Sequence, residues 1–441
     1  MTIFSLALGI TLAILYSGGC STAINISAAA ADATFSIDLI HRDSIKSPFY
    51  DHGITFSQRL GRALQRSFDK ARCLKPSSST YQTQISPDWG EYLMNIFIGN
   101  PSHQILAIAD TGSDLTWIQC RPCTQCYKHT GSIFDPKSSS TYKALGCKSE
   151  ACRDPSFLET NCSSTKTCQY TTSYSDGTYS IGDVATETIK IGGRTIQDIV
   201  FGCSFRNGGI SHETSSGVVG LGGGDFSLVS QLRTLVAPKF SYCLIPYPVN
   251  DDLSKLSSKL VFGDIISFGS QVVSTPLVPK WPRMFYYVTL EGISVSDIRL
   301  KYSDFSNPTK RMHKGNMILD SGATLTTLHD KLYHKVEAAI KENLKNVRRV
   351  EDPQKILSLC YVAKEVKYAP KITMHFEGAD VLLLRHNVFV PVGEQVICLA
   401  MVPTSDVAIF GNIAQGNLLI GYDLENKRVS FQRTDCTRLK V

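Results

Sequence analysis

Asp110-Thr111-Gly112-Ser113 and Asp320-Ser321-Gly322-Ala323 are near-copies of one tetrapeptide, and each closes an apolar run. Ile105-Leu106-Ala107-Ile108-Ala109 leads into the first and Met317-Ile318-Leu319 into the second. Apolar residues follow both, Leu115 and Trp117 in one copy and Leu325 and Leu328 in the other. A buried strand that ends in Asp-Thr/Ser-Gly presents one carboxylate at a tight turn, where glycine tolerates dihedrals that other residues avoid. Two such turns in one chain predict a duplicated lobe with a site shared between the copies. A single Asp-Thr-Gly would carry little weight, because turns use Asp and Gly constantly.

The duplication continues. Val218-Val219-Gly220-Leu221-Gly222 lies about a hundred residues beyond Asp110, and Val407-Ala408-Ile409-Phe410-Gly411 holds the equivalent place beyond Asp320. In both halves an apolar strand ends in glycine. From Tyr92 to Cys436 this arrangement resembles the pepsin-like aspartic proteases. The resemblance implies an all-β, bilobal fold, two lobes of the six-stranded β-barrel type with a few short helices. The cysteine-rich stretch from Cys120 to Cys152, and Asp38-Leu39-Ile40-His41-Arg42-Asp43-Ser44 near the start, resemble the plant nepenthesin-like group, the disease-resistance type.

The resemblance also implies roles. Asp110 and Asp320 would form the catalytic pair. Peptide hydrolysis without a covalent intermediate needs one group to take a proton from water and another to polarise the carbonyl. Two adjacent carboxylates resist double ionisation and share a proton, and the aspartic-protease pair is the standard instance of this. Thr111 and Ser321 match hydroxyls that lock the two turns together, with Gly112 and Gly322 beside them. Ser113 matches a hydroxyl bonded to the first carboxylate; its counterpart, Ala323, can make no such bond. Ser173-Tyr174-Ser175-Asp176-Gly177-Thr178 looks like a flap hairpin with an Asp-Gly turn. Tyr174 would reach over the pair, with Gly177 in its turn and the Trp117 indole as partner. No cofactor and no metal is implied, and the partners would be protein or peptide substrates of a monomeric enzyme.

Composition agrees with a globular chain. Its 441 residues suffice for a bilobal molecule, and 43% hydrophobic with 9% aromatic residues is far from disorder. The net charge of +6 is modest. Residues 31–80 alone hold eight Lys/Arg against five Asp/Glu, so nothing calls for nucleic acid. Ile3 to Tyr16 is an apolar stretch too short to span a bilayer comfortably, followed by small residues through Cys20 and Ala31. It reads as a secretory signal over residues 1–30, placing the protein outside the cell (in a plant, the apoplast) without stable membrane insertion.

Fourteen cysteines suit that compartment. With Cys20 and Cys73 set aside, a dozen remain for disulfides. Metal or iron–sulfur binding by Cys120, Cys123 and Cys126 is the rival reading, but no further Cys-Pro follows closely. By resemblance, Cys360 is expected to pair with Cys398 and Cys120 with Cys126. Asn161-Cys162-Ser163 is a candidate glycosylation acceptor.

Residues 31–80 read as a propeptide: a strand at Phe35–Ile40, a helical pattern from Ser57 to Lys70, and a breakable linker at Lys75–Thr80. Residues 81–270 and 271–441 are the expected lobes. Leu332 to Lys345 is the best candidate helix, with Val336, Ala339, Ile340 and Leu344 on one face. Gly220-Leu221-Gly222-Gly223-Gly224-Asp225 lacks the third glycine of a dinucleotide loop, and His329 and His334 lack a zinc-site spacing. The predicted activity is that of a secreted aspartic endopeptidase made as a zymogen. The alternatives are a catalytically inactive binding protein on the same scaffold, such as a glycosidase inhibitor, and glycoside hydrolysis by the carboxylate pair, for which the duplicated turn has no purpose.

Overall fold

Phe35-Ser36-Ile37-Asp38-Leu39-Ile40-His41 buries every second side chain, the alternation of a strand with one face in a core. That strand, Phe35–His41, lies within a sheet rather than at its edge. It pairs antiparallel with Ser258–Phe262 on one side and with Tyr92–Ile98 on the other. The computed structural model describes residues 34–55, 58, 90–127, 133–154, 159–174, 177–209, 216–246, 257–264, 269, 271–302, 314–393 and 395–439. The expected signal at 1–30, most of the helical pattern at 57–70, the linker Lys75–Thr80 and flap residues Ser175 and Asp176 lie outside them.

Strands dominate. One fifteen-stranded sheet runs from Val273–Pro276 through Arg428–Arg433, Leu418–Asp423 and Lys239–Cys243, then into the strands of the N-terminal half. Among the described residues, the C-terminal half adds one five-stranded and two four-stranded sheets. The expected helix forms over Asp330–Asn343, with Leu332, Tyr333, Val336, Ala339 and Ile340 buried. His329 precedes its first residue, and His334 is exposed. Among the described residues, no helix is long and apolar enough to cross a membrane.

The sheet common to both halves is filled with aromatic rings. Phe240 stacks on Tyr422 at 4.4 Å between centroids, and Tyr286 packs on the same tyrosine at 4.7 Å. Burial of each such ring contributes roughly 1.5–3 kcal/mol, so this seam is a stable floor beneath the two Asp turns.

Six disulfides join the twelve cysteines from Cys120 to Cys436. Cys360 bonds Cys398, its cross-strand neighbour. The expected Cys120–Cys126 bond is not formed: Cys120 bonds Cys203, and Cys126 bonds Cys123. Strand pairing decides this. Trp117–Gln119 runs parallel to Arg194–Gly208 with Ile118 opposite Cys203, and the Cys120 amide donates to Ser204 O at 2.7 Å. Cys120 is therefore delivered to Cys203 by the sheet. All three clustered cysteines are consumed by disulfides, which removes the metal reading of this run.

Candidate active site

Each Asp turn ends a buried strand: His103–Asp110 in the first half, Met317–Leu319 in the second. Val218–Gly220 lies parallel to the first and Ala408–Phe410 parallel to the second. The glycine closing each of these strands has a steric cause. A Cβ on Gly220 would stand 2.1 Å from Asp114 O, and one on Gly411 2.3 Å from Leu325 O. The backbone leaving each turn passes where a side chain would be.

The two carboxylates converge. A Cβ on Gly322 would lie 2.3 Å from Asp110 Oδ1 and 3.3 Å from Asp320 Oδ1, so both oxygens crowd one point. Conversely, a Cβ on Gly112 would lie 2.7 Å from Asp320 Oδ2. Gly112 and Gly322 thus give each carboxylate room over the opposite turn. The amides of Gly112 and Gly322 each donate to their own Asp Oδ1 at 2.8 Å.

Beneath them, the turns interlock. The Thr111 amide donates to Ser321 Oγ and the Ser321 amide to Thr111 Oγ1; the two hydroxyls donate onward to Leu319 O and Ala109 O. Ser113 Oγ donates to Asp110 Oδ2 at 2.6 Å, whereas at Ala323 only the backbone amide reaches Asp320, at 3.1 Å. The Ser113 hydroxyl thus has no counterpart at position 323. Asn412 and Gln415 add amide donors to Ser321 O and Asp320 O; neither residue stands out in the sequence as a support.

Over the site, Cys168–Ser173 and Tyr179–Ile191 form an antiparallel hairpin. Gly177 takes φ +83°, and its amide donates to Tyr174 O, closing the tip. The Trp117 indole N–H donates to the Tyr174 hydroxyl at 2.6 Å. Burial pushes that phenol well above its ordinary range, and the charge of Asp110 adds to the shift against hydrogen bonds from Trp117 and Ser113. Tyr174 therefore remains protonated and within the electrostatic reach of Asp110.

Asn161 is exposed on the strand Glu159–Cys162, with its side chain accepting from the Cys162 amide.

The comparisons with known proteins agree with this geometry. The chain is 44% identical to a probable aspartic protease of Arabidopsis thaliana, over 94% of this chain and 96% of that one. It is 36% identical to the aspartic proteinase nepenthesin-1 of Nepenthes gracilis, over 94% and 93%. The chain belongs to the pepsin-like aspartic proteases, in the plant nepenthesin-like group. Two family models match it, described as xylanase inhibitor N-terminal (residues 92–264) and xylanase inhibitor C-terminal (residues 285–433). The fold is also similar to conglutin gamma from lupine seeds, TM-score 0.65 at 18% identity, over 92% of this chain and 97% of that one. Basic 7S globulin from soybean gives a TM-score of 0.64 at 19% identity, over 80% and 96%.

Proposed function

We propose that this member of the aspartic proteases is a secreted endopeptidase, made as a zymogen, that hydrolyses peptide bonds with a water activated by Asp110 and Asp320. The convergence of Asp110 Oδ1 and Asp320 Oδ1 on one point carries the reading. One carboxylate takes a proton from water as the other, protonated, donates to the scissile carbonyl; the proton then passes to the leaving nitrogen. Tyr174, paired with Trp117, closes over substrate and excludes bulk water. No cofactor enters the scheme. Six disulfides and the apolar N-terminal stretch support secretion, and exposed Asn161 is the proposed glycosylation site.

Latency follows from residues 42–50. Arg42, Asp43, Ser44, Ser47 and Phe49 are buried, and Arg42 pairs with buried Glu91 at 3.6 Å. Phe49 belongs to the same apolar cluster as Trp117, Tyr170 and Val218, against which Tyr174 packs. On this reading the propeptide fills apolar space continuous with the cluster under the flap, where it would compete with a substrate side chain.

A binding role is the second reading, favoured by the inhibitor description of the matching family models. One experiment separates the two. The purified chain is incubated with denatured protein at pH 3–6, with and without pepstatin. Pepstatin-sensitive cleavage that disappears in both Asp110→Asn and Asp320→Asn, each still folded, supports the endopeptidase. No cleavage by the acid-treated wild type overturns it and leaves the binding protein.

A further inference from the structure

Asp114 has no place in the scheme above, yet it sits one residue beyond the first turn with its carboxylate enclosed. The Gly224 amide donates to Asp114 Oδ1 at 2.9 Å. A Cβ on Gly224 would stand 1.9 Å from Asp114 Oδ2, and one on Gly222 2.4 Å from Asp114 Oδ1. The run Gly222-Gly223-Gly224 is therefore wrapped on this side chain so closely that a side chain at either outer position would collide with it.

The loop Leu221–Gly224 is bonded to the first catalytic turn and to the strand that pairs beside the second. Toward the first, the Leu221 and Gly222 amides donate to Asp110 O and Ser113 O, both at 2.8 Å. Toward the second, the Tyr286 hydroxyl meets Leu221 O at 2.9 Å and Gly222 O at 2.8 Å, while the Gly223 amide donates to Met284 O. Tyr286 is buried, and it pairs in register with Leu319, the residue before Asp320. A continuous hydrogen-bonded route thus runs from Asp110 through the loop gripped by Asp114 to the strand that carries Asp320. It is separate from the Thr111–Ser321 lock.

We propose that Asp114 is a positioning residue, which braces the two catalytic turns against each other by holding the Gly222–Gly224 loop against Tyr286. The inference rests on the endopeptidase reading. The charged and titratable groups around the carboxylate are Asp110 on its own turn, Asp225 at the end of the loop and Tyr286 across the lobe boundary. Burial above all, with the charges of Asp225 and Asp110, pushes Asp114 up to about 6 against the Gly224 amide. At the acidic pH of the reaction the side chain is neutral, so Asn is its close mimic: equal in shape and able to accept from Gly224.

The test is a cycle of Asp114→Ala, Asp114→Asn, Gly224→Ala and the Asp114→Ala/Gly224→Ala double variant, in the acid-activated full chain at pH 4.5. A brace that misplaces reacting groups by a fraction of an ångström when lost costs about ten- to a hundredfold in kcat. Asp114→Ala should lose that much with KM within about twofold, and Asp114→Asn should recover most of it. The three atoms nearest the Cβ of Gly224→Ala all belong to the Asp114 carboxylate, so its loss in kcat should shrink in the double variant. An active wild type whose folded Asp114→Ala keeps full kcat, or a loss confined to KM, overturns the brace. Additive losses in the double variant overturn it as well. A wild type with no hydrolysis at all instead sinks the endopeptidase reading on which it stands.

Discussion

The Thr111 amide donates to Ser321 Oγ at 3.1 Å and the Ser321 amide returns the bond to Thr111 Oγ1 at 2.9 Å, across 210 residues of chain. Each hydroxyl also donates to a backbone carbonyl of the opposite strand, so neither can leave without stranding buried polar groups. Thr111→Val preserves volume but removes the acceptor of the Ser321 amide and the donor to Leu319 O. An unsatisfied buried group costs about 1–3 kcal/mol. Thr111→Val and Ser321→Ala are each expected to lower stability by that amount in denaturant unfolding and to reduce kcat. A double variant no worse than either single would match a shared unit; strictly additive losses would contradict it.

The disulfide framework makes a separate claim about which cysteines matter. Cys243–Cys436 joins residues 193 apart and anchors the end of the chain beneath the shared sheet. Cys123–Cys126 closes a loop of only three. Loop-closure entropy grows with loop length, so removing the first pair should cost about 5 kcal/mol, and removing the second much less. Thermal unfolding of Cys243→Ser/Cys436→Ser and Cys123→Ser/Cys126→Ser compares them. Equal losses would rule out the entropic ranking. Non-reducing peptide maps should also yield Cys120 linked to Cys203, and a Cys120–Cys126 peptide would refute the assignment.

Much of this fold is legible in the chain because the decisive signals are local. The paired Asp turns, the glycine-ended strands, the Tyr174 turn and the Asp330–Asn343 helix each fall within a short stretch whose pattern has a physical reading. The failures are non-local. Cys120 finds Cys203 because a parallel strand pair, not sequence spacing, sets its neighbour. Asp114 reads as an ordinary polar residue after a turn; its enclosure comes from Gly222 and from Gly224, 110 residues away. Gly220 to Asp225 lacks a nucleotide-loop pattern because its glycines make room for Asp114 and Met284 O rather than for phosphates. The alternating pattern of Phe35–His41 is local, but its insertion between Tyr92–Ile98 and Ser258–Phe262 is not.

Propeptide latency should depend on Phe49. Its ring is buried in the cluster that includes Trp117 and supports Tyr174, so Phe49→Ala leaves an apolar hollow where substrate could enter. Expressed as residues 31–441 and kept at neutral pH, the Phe49→Ala variant should hydrolyse a peptide substrate faster than the wild type while the propeptide is still attached. Intact-mass measurement verifies attachment. Unchanged latency would show that Phe49 is not the plug. Combining Phe49→Ala with Asp110→Asn then reports on processing: failure to shorten at pH 4 identifies self-cleavage, and normal shortening identifies another protease.

Asp114 also sets a pH dependence of stability whose sign follows from its shift. Burial raises its carboxyl from 3.8 to about 6. The native state therefore holds this proton more tightly than the unfolded chain does. The resulting stabilisation is fully present below pH 3.8 and is lost as pH rises through about 6. A shift of that size corresponds to something on the order of 3 kcal/mol. Denaturant unfolding of the wild type between pH 3.5 and pH 7 should show this decline superimposed on the contributions of other groups. Asp114→Asn binds no proton in either state, so the difference between the two proteins isolates the residue. The wild type should lose stability relative to Asp114→Asn as pH rises from 4 to 6.5, and the gap should level off above that. A difference that stays constant with pH would mean that Asp114 titrates alike in the folded and unfolded chain, and its enclosure by Gly222 and Gly224 would then have no electrostatic consequence.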